Sequence, residues 1–140
     1  MSITGPQTIL LDAHALTLIS RDDPAMREWM RIARRTSSTF AISAATLAET
    51  TDGSPRDAAV YRVMSRIEVS DVTRSIGCTA GALRAKAANV RKKPRDLTVD
   101  ALVAATALSL RLPVVVLTSD KPDLDLMLSD SEGVRVYPVN

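Results

Sequence analysis

Asp12 closes an apolar run at residues 9–11, and Asp120 follows a second run at 112–117. Asp100 falls in the first turn of the helix predicted between them, where Ala101, Ala104, Ala105 and Ala107 give small faces for close packing. A run as continuous as 112–117 is expected of a central parallel strand covered on both faces. An acid just beyond such a strand lies at the carboxyl edge of the sheet, where open α/β sheets bind ligands. Glu49, on a helix predicted after a short strand at 40–42, can join from the side; taken alone, a helical Glu is an ordinary solvated residue. Four carboxylates this close repel one another and raise their pKa values unless a cation compensates. Mg2+ or Mn2+, hard ions bound through oxygen, would suit them, and the chemistry they support is phosphodiester hydrolysis by an activated water.

Composition narrows what else can act. Cys78 is the single cysteine and His14 the single histidine, which excludes a disulfide framework and a zinc site built from several Cys and His ligands. With 140 residues, 46% hydrophobic and 24% charged, the chain is expected to form one domain, residues 1–140, with its own core. No run approaches the roughly 20 apolar residues of a membrane span, and residues 1–6 carry no basic lead into a signal core, so a cytoplasmic location is expected. The net charge is only +2, but setting Asp12, Glu49, Asp100, Asp120 and Asp123 aside as one pocket leaves 11 acids against 18 bases. That excess suits a polyanion, although 3% aromatics offers no base-stacking platform and the bases equally read as a solvated surface.

The elements that must position these acids can be followed along the chain. Residues 13–20 read as a helix leaving the first strand. Asp23 and Pro24 form a helix cap and first turn, with Met26, Trp29, Met30 and Ala33 as the inward stripe and Arg27, Arg31, Arg34 and Arg35 off it. Ser43 caps the helix of Glu49, with Leu47 and Ala48 turned inward. Ser54 and Pro55 open another helix with the stripe Val60, Val63, Met64 and Ile67, and residues 67–72 return a strand. Thr73 caps a long helix carrying Ala80, Leu83, Ala87 and Val90, which ends in RKKPR at 91–95, stopped by Pro94. This basic cluster suits either the helix C-terminal dipole or a phosphate. A short helix at 124–128 and a strand at 134–139 complete an α/β sandwich around a mostly parallel sheet.

The segments ILLDAHAL, SAATLAET, TVDALVAATAL and VVVLTSDKPDL, in that order, resemble the PIN domain family, and within it the VapC-type ribonuclease toxins of type II toxin-antitoxin pairs. The resemblance implies a three-layer α/β/α sandwich with a central, mostly parallel sheet of four to five strands. It implies a catalytic quartet of Asp12, Glu49, Asp100 and Asp120. Asp12, Asp100, Asp120 and Asp123 are the implied ligands of Mg2+ or Mn2+, and Thr118 is the supporting hydroxyl. It further implies an RNA substrate, a cognate antitoxin and a homodimer. The chain departs from the family pattern in having Ala13 and His14 behind the first Asp, where a small hydroxyl residue is common, and Thr50 and Thr51 after Glu49. His14 reads as a packed or partly exposed side chain, or as a phosphate contact or acid-base group.

Two other readings fit parts of the pattern. A PIN-like module without cleavage would keep RNA or protein binding alone. A phosphoacceptor domain would use Thr118 and Lys121 with a strand-end Asp, but it needs an early acid pair and a lone acceptor on a middle strand, and neither is present.

Overall fold

The computed structural model describes residues 3–91 and 95–140. Along the chain run β1 (Thr8–Leu11), α1 (Ala13–Ser20), α2 (Pro24–Thr36), β2 (Thr39–Ser43), α3 (Ala44–Thr50), a 3-10 turn (Pro55–Asp57) and α4 (Ala58–Met64). There follow β3 (Glu68–Ser70), α5 (Arg74–Val90), α6 (Thr98–Ser109), β4 (Val114–Thr118), α7 (Lys121–Leu128) and β5 (Val134–Pro138). The strands form one five-stranded sheet in the order β3-β2-β1-β4-β5, and every pairing is parallel. The chain therefore builds outward from β1 to one side, then crosses to the other side for β4 and β5. The reversal falls between β1 and β4, whose carboxyl ends leave a crevice outside the sheet.

Side-chain alternation along the strands divides the core between two faces. Leu10, Ala41, Val114 and Val116 pack with Ile76, Ala80 and Ala87 of α5, with the alanine-rich face of α6, and with Leu124 and Met127 of α7. Ile9, Leu11, Ile42, Val115 and Leu117 pack on the opposite side with Leu16 of α1, Met26, Trp29 and Ile32 of α2, and Val60 of α4. These are the three layers the sequence predicts. Strand residues 9–11 and 114–117 are fully buried, and each large apolar side chain so placed contributes about 1.5–3 kcal/mol. No helix among the described residues is long and apolar enough to cross a membrane.

Local signals hold well at helix starts. The side chains of Asp23, Ser43, Ser54 and Thr73 accept from the amides of Ala25, Ala45, Arg56 and Ile76, as their positions predict. Differences concentrate at element ends. The fourth strand begins at Val114 and not at residue 112, because Leu112 is 55% exposed and Pro113 has no amide to donate. The third strand spans only Glu68–Ser70 at the sheet edge, leaving Val72 exposed. Ile32, not Met30, completes the buried stripe of α2, and Val90 and Ala48 face outward. Pro94 lies outside the described residues.

Candidate active site

Three helix N-termini converge on the crevice between β1 and β4, and each carries acid. Asp12 is the N-cap of α1: its Oδ1 accepts from the Ala15 amide at 2.8 Å, and its Oδ2 accepts from the Ser119 amide at 2.9 Å. The Asp12 amide in turn donates to the Leu117 carbonyl at 3.0 Å. Asp12, only 6% exposed, thus knots the end of β1, the start of α1 and the end of β4 into one unit. Asp100 stands in the first turn of α6, Asp120 at the N-cap of α7 and Asp123 in the first turn of α7. Helix N-termini favour negative charge by about 0.3–1 kcal/mol each, which offsets part of the repulsion among these acids.

The second strand end is shaped by the residues around Asp120. Thr118, fully buried, accepts the Asp120 amide on its Oγ1 at 2.9 Å, a short side-chain turn that sets the direction in which the chain leaves β4. This hydroxyl thus positions the backbone of Asp120, and it makes no hydrogen bond to a carboxylate among the described residues.

The acids are met by two arginines. One Arg95 nitrogen, Nη1, lies 3.1 Å from Asp100 Oδ2 and 2.5 Å from Asp123 Oδ2, while Nη2 lies 3.2 Å from Asp120 Oδ2. Arg91 Nε donates to Asp123 Oδ1 at 2.7 Å. Asp123, whose side chain is 9% exposed, is thereby gripped by two guanidiniums. Asp100 Oδ2 is buried, and although it pairs electrostatically with Arg95 it accepts no hydrogen bond among the described residues. The Asp100 carboxyl is pushed up to about 6. Its burial is the largest cause; Arg95 pulls it down, and the charges of Asp120, Asp123 and Asp12 push it up. The expectation of raised carboxyl pKa values is met at Asp100, but with desolvation ahead of mutual repulsion.

No three His, Cys, Asp or Glu side chains of the described residues are arranged to hold one metal ion. The donor set nevertheless fits a hard divalent cation. It is all carboxylate oxygen, and it includes a buried oxygen with no hydrogen bond.

Glu49 is placed differently from the four aspartates. It is exposed near the end of α3, makes no side-chain hydrogen bond or ion pair among the described residues, and lines a groove of about 460 Å³ with Thr17, Arg21, Asp52 and Arg56. Thr46, one turn earlier on α3, is fully buried, and its hydroxyl has no hydrogen-bond partner among the described residues. His14 is exposed in the first turn of α1. Reading the sequence alone missed the pairing of Arg91 and Arg95 with the acids. A signal existed: Arg95 stands just ahead of the α6 N-terminus, where the helix dipole disfavours a cation and a nearby acid offsets that cost. Lys92 and Lys93 of the same basic cluster lie outside the described residues.

A family model for the PIN domain matches residues 9–122. No curated protein matches the chain. Among solved structures, the chain is similar to the DNA-bound VapBC of Salmonella typhimurium, with 24% identity, 94% of this chain and 98% of that chain covered, and a TM-score of 0.69. VapBC2 of Rickettsia felis, bound to a promoter DNA fragment, aligns over 96% of this chain and 100% of that one at 15% identity, with a TM-score of 0.71. VapBC-1 of nontypeable Haemophilus influenzae covers 94% and 98% at 19% identity, with a TM-score of 0.63.

Proposed function

The chain belongs to the PIN domain family, and from that membership we propose that it is a metal-dependent endoribonuclease serving as the toxin of a VapBC-like type II pair. The observation that carries the proposal is the convergence of Asp12, Asp100, Asp120 and Asp123 on the switch point between β1 and β4. In this reading Asp12, Asp100 and Asp120 hold Mg2+ or Mn2+, with Asp123 as the outlying fourth acid. The bound ion would polarise a phosphoryl oxygen and lower the pKa of a water.

The chain's own residues do the rest. Asp12 keeps its carboxylate fixed through the amides of Ala15 and Ser119, so little reorganisation accompanies binding. Thr118 orients the turn that presents Asp120. Glu49, exposed and without a side-chain partner among the described residues, is the proposed acid that orients or deprotonates the attacking water. Basic residues outside the crevice hold the RNA backbone.

The proposed antitoxin has a fitting seat in a groove of about 400 Å³ between α1, α2 and α4. Ile19, Met30, Phe40, Val63 and Ile67 give it an apolar floor, and Arg62 and Arg66 suit an acidic segment. A homodimer belongs to the same proposal, as does a cytoplasmic location.

Incubation of the purified protein with RNA and Mg2+ or Mn2+ tests the reading. Cleavage should disappear in EDTA and in Asp100→Asn, and full activity in either would overturn it. A second reading, a PIN domain that binds without cutting, is favoured by the arginines already neutralising the acids. It would be supported by RNA or protein binding that persists in a chain taking up no divalent ion at millimolar concentration.

A further inference from the structure

We propose that Arg95 is an internal, exchangeable counter-ion that competes with a divalent cation for Asp100, Asp120 and Asp123. The inference rests on the acidic site being a cation site, as read above.

One guanidinium reaches three carboxylates, two of them through the same nitrogen. A cation bound by these oxygens would take the lone pairs that the guanidinium now faces, and the two positive charges would repel. Both cannot occupy the crevice in this arrangement.

Exposure, and the oxygen left without a hydrogen bond, separate an exchangeable partner from a structural one, even though Arg95 itself donates to Asp123 Oδ2 at 2.5 Å. The Arg91 pair with Asp123 is enclosed, with side chains 24% and 9% exposed, and its Nε donates at 2.7 Å. Arg95 is 39% exposed and leaves Asp100 Oδ2, buried, with charge nearby but no hydrogen bond among the described residues. A hard cation can ligate that oxygen, whereas the guanidinium only approaches it. Because the Arg95 side chain is 39% exposed, rotation about its own side-chain bonds offers a route for withdrawing it. Asp123 would remain paired with Arg91 after that withdrawal, leaving Asp100 and Asp120 as the acids set free.

Calorimetric titration of Mn2+ into the metal-free protein at pH 7.5, with melting measured in EDTA, tests the competition. Arg95→Ala should bind Mn2+ roughly tenfold more tightly than the parent, the scale of a small network of partly exposed ion pairs. It should melt lower than the parent in EDTA and gain more on adding Mn2+. Arg95→Lys, which keeps one charge without the fork, should fall between them. Should Arg95→Ala fail to fold, Mg2+ titration of the parent followed by NMR of arginine side chains gives the same answer, since the guanidinium signals of Arg95 should shift as the ion binds.

Equal or weaker Mn2+ binding by Arg95→Ala, with the parent binding normally, overturns the proposal and makes Arg95 a structural or phosphate contact. So does a Mg2+ titration in which the ion binds while those signals stay fixed. Absence of Mn2+ binding in the parent and every variant overturns the cation site itself, and this inference with it.

Discussion

The Ser119 amide donates to Asp12 Oδ2 at 2.9 Å, joining the exits of β1 and β4 across 107 positions of sequence. With Oδ1 already accepting from Ala15, the Asp12 carboxylate is an architectural group as well as a candidate ligand. Asp12→Asn can keep only one of the two bonds, because its amide nitrogen cannot accept from a backbone N–H. The substitution should therefore lower stability by about 1–3 kcal/mol, the cost of stranding a buried donor. Chemical denaturation of the metal-free protein measures this, and an unchanged midpoint would show that the tie between the strands is dispensable.

Asp100 should make the metal-free protein pH-sensitive in a direction opposite to that of most acids. Its carboxyl is raised from 3.8 to about 6 in the folded chain. Between those values the folded state holds a proton that the unfolded state has lost. Stability from this group is therefore fully present below about 3.8 and is lost as pH rises toward 6. Above pH 6, Asp100→Asn should stabilise the metal-free protein by about 1–2 kcal/mol, a value reduced for the carboxyl's remaining contact with solvent. Melting curves from pH 4 to 8 for parent and variant give the comparison; parallel curves would place the sensitivity elsewhere. The same proton must leave for a cation to bind, so Mn2+ affinity of the parent should rise as pH passes through about 6.

Thr118→Val removes one hydroxyl and keeps the shape of a buried strand residue. The Asp120 amide then loses its acceptor at 2.9 Å. A net loss of about 1 kcal/mol is expected, together with a fall in cleavage of roughly tenfold as Asp120 loses its fixed direction. Thr118→Ser keeps the hydroxyl and should retain most of the activity. If Thr118→Val cleaves RNA as well as the parent, the turn is not what positions Asp120.

The site's backbone was legible because strand ends and helix starts leave strong marks. Uninterrupted apolar runs identified β1 and β4 as central, and an acid following each placed Asp12 and Asp120 on one edge. Asp100 was legible from its place in the first turn of α6. Tertiary pairing left a weaker trace. Arg91 and Arg95 belong to a basic run whose spacing says nothing of which acid each meets, so their grip on Asp123 emerged only from the packing of α5 against α7. The orientation of Glu49 was equally hidden, because rotation about α3 depends on what its small neighbours touch. Ala48 faces out, and Thr46 takes the buried position.

Glu49 offers the sharpest separation between chemistry and stability. Its side chain is exposed and carries no hydrogen bond or ion pair among the described residues, so Glu49→Gln should change stability by no more than about 0.5 kcal/mol. It is not one of the three proposed ligands, so Mn2+ affinity should stay close to that of the parent. As the proposed group that orients or deprotonates water, however, its loss should lower the rate at saturating metal and RNA by about 10²–10⁴-fold. Single-turnover cleavage alongside Mn2+ calorimetry distinguishes the outcomes. A slower rate with unaltered metal binding assigns Glu49 to the chemical step. Weaker metal binding makes it a ligand, and an unchanged rate returns it to the solvated surface of α3.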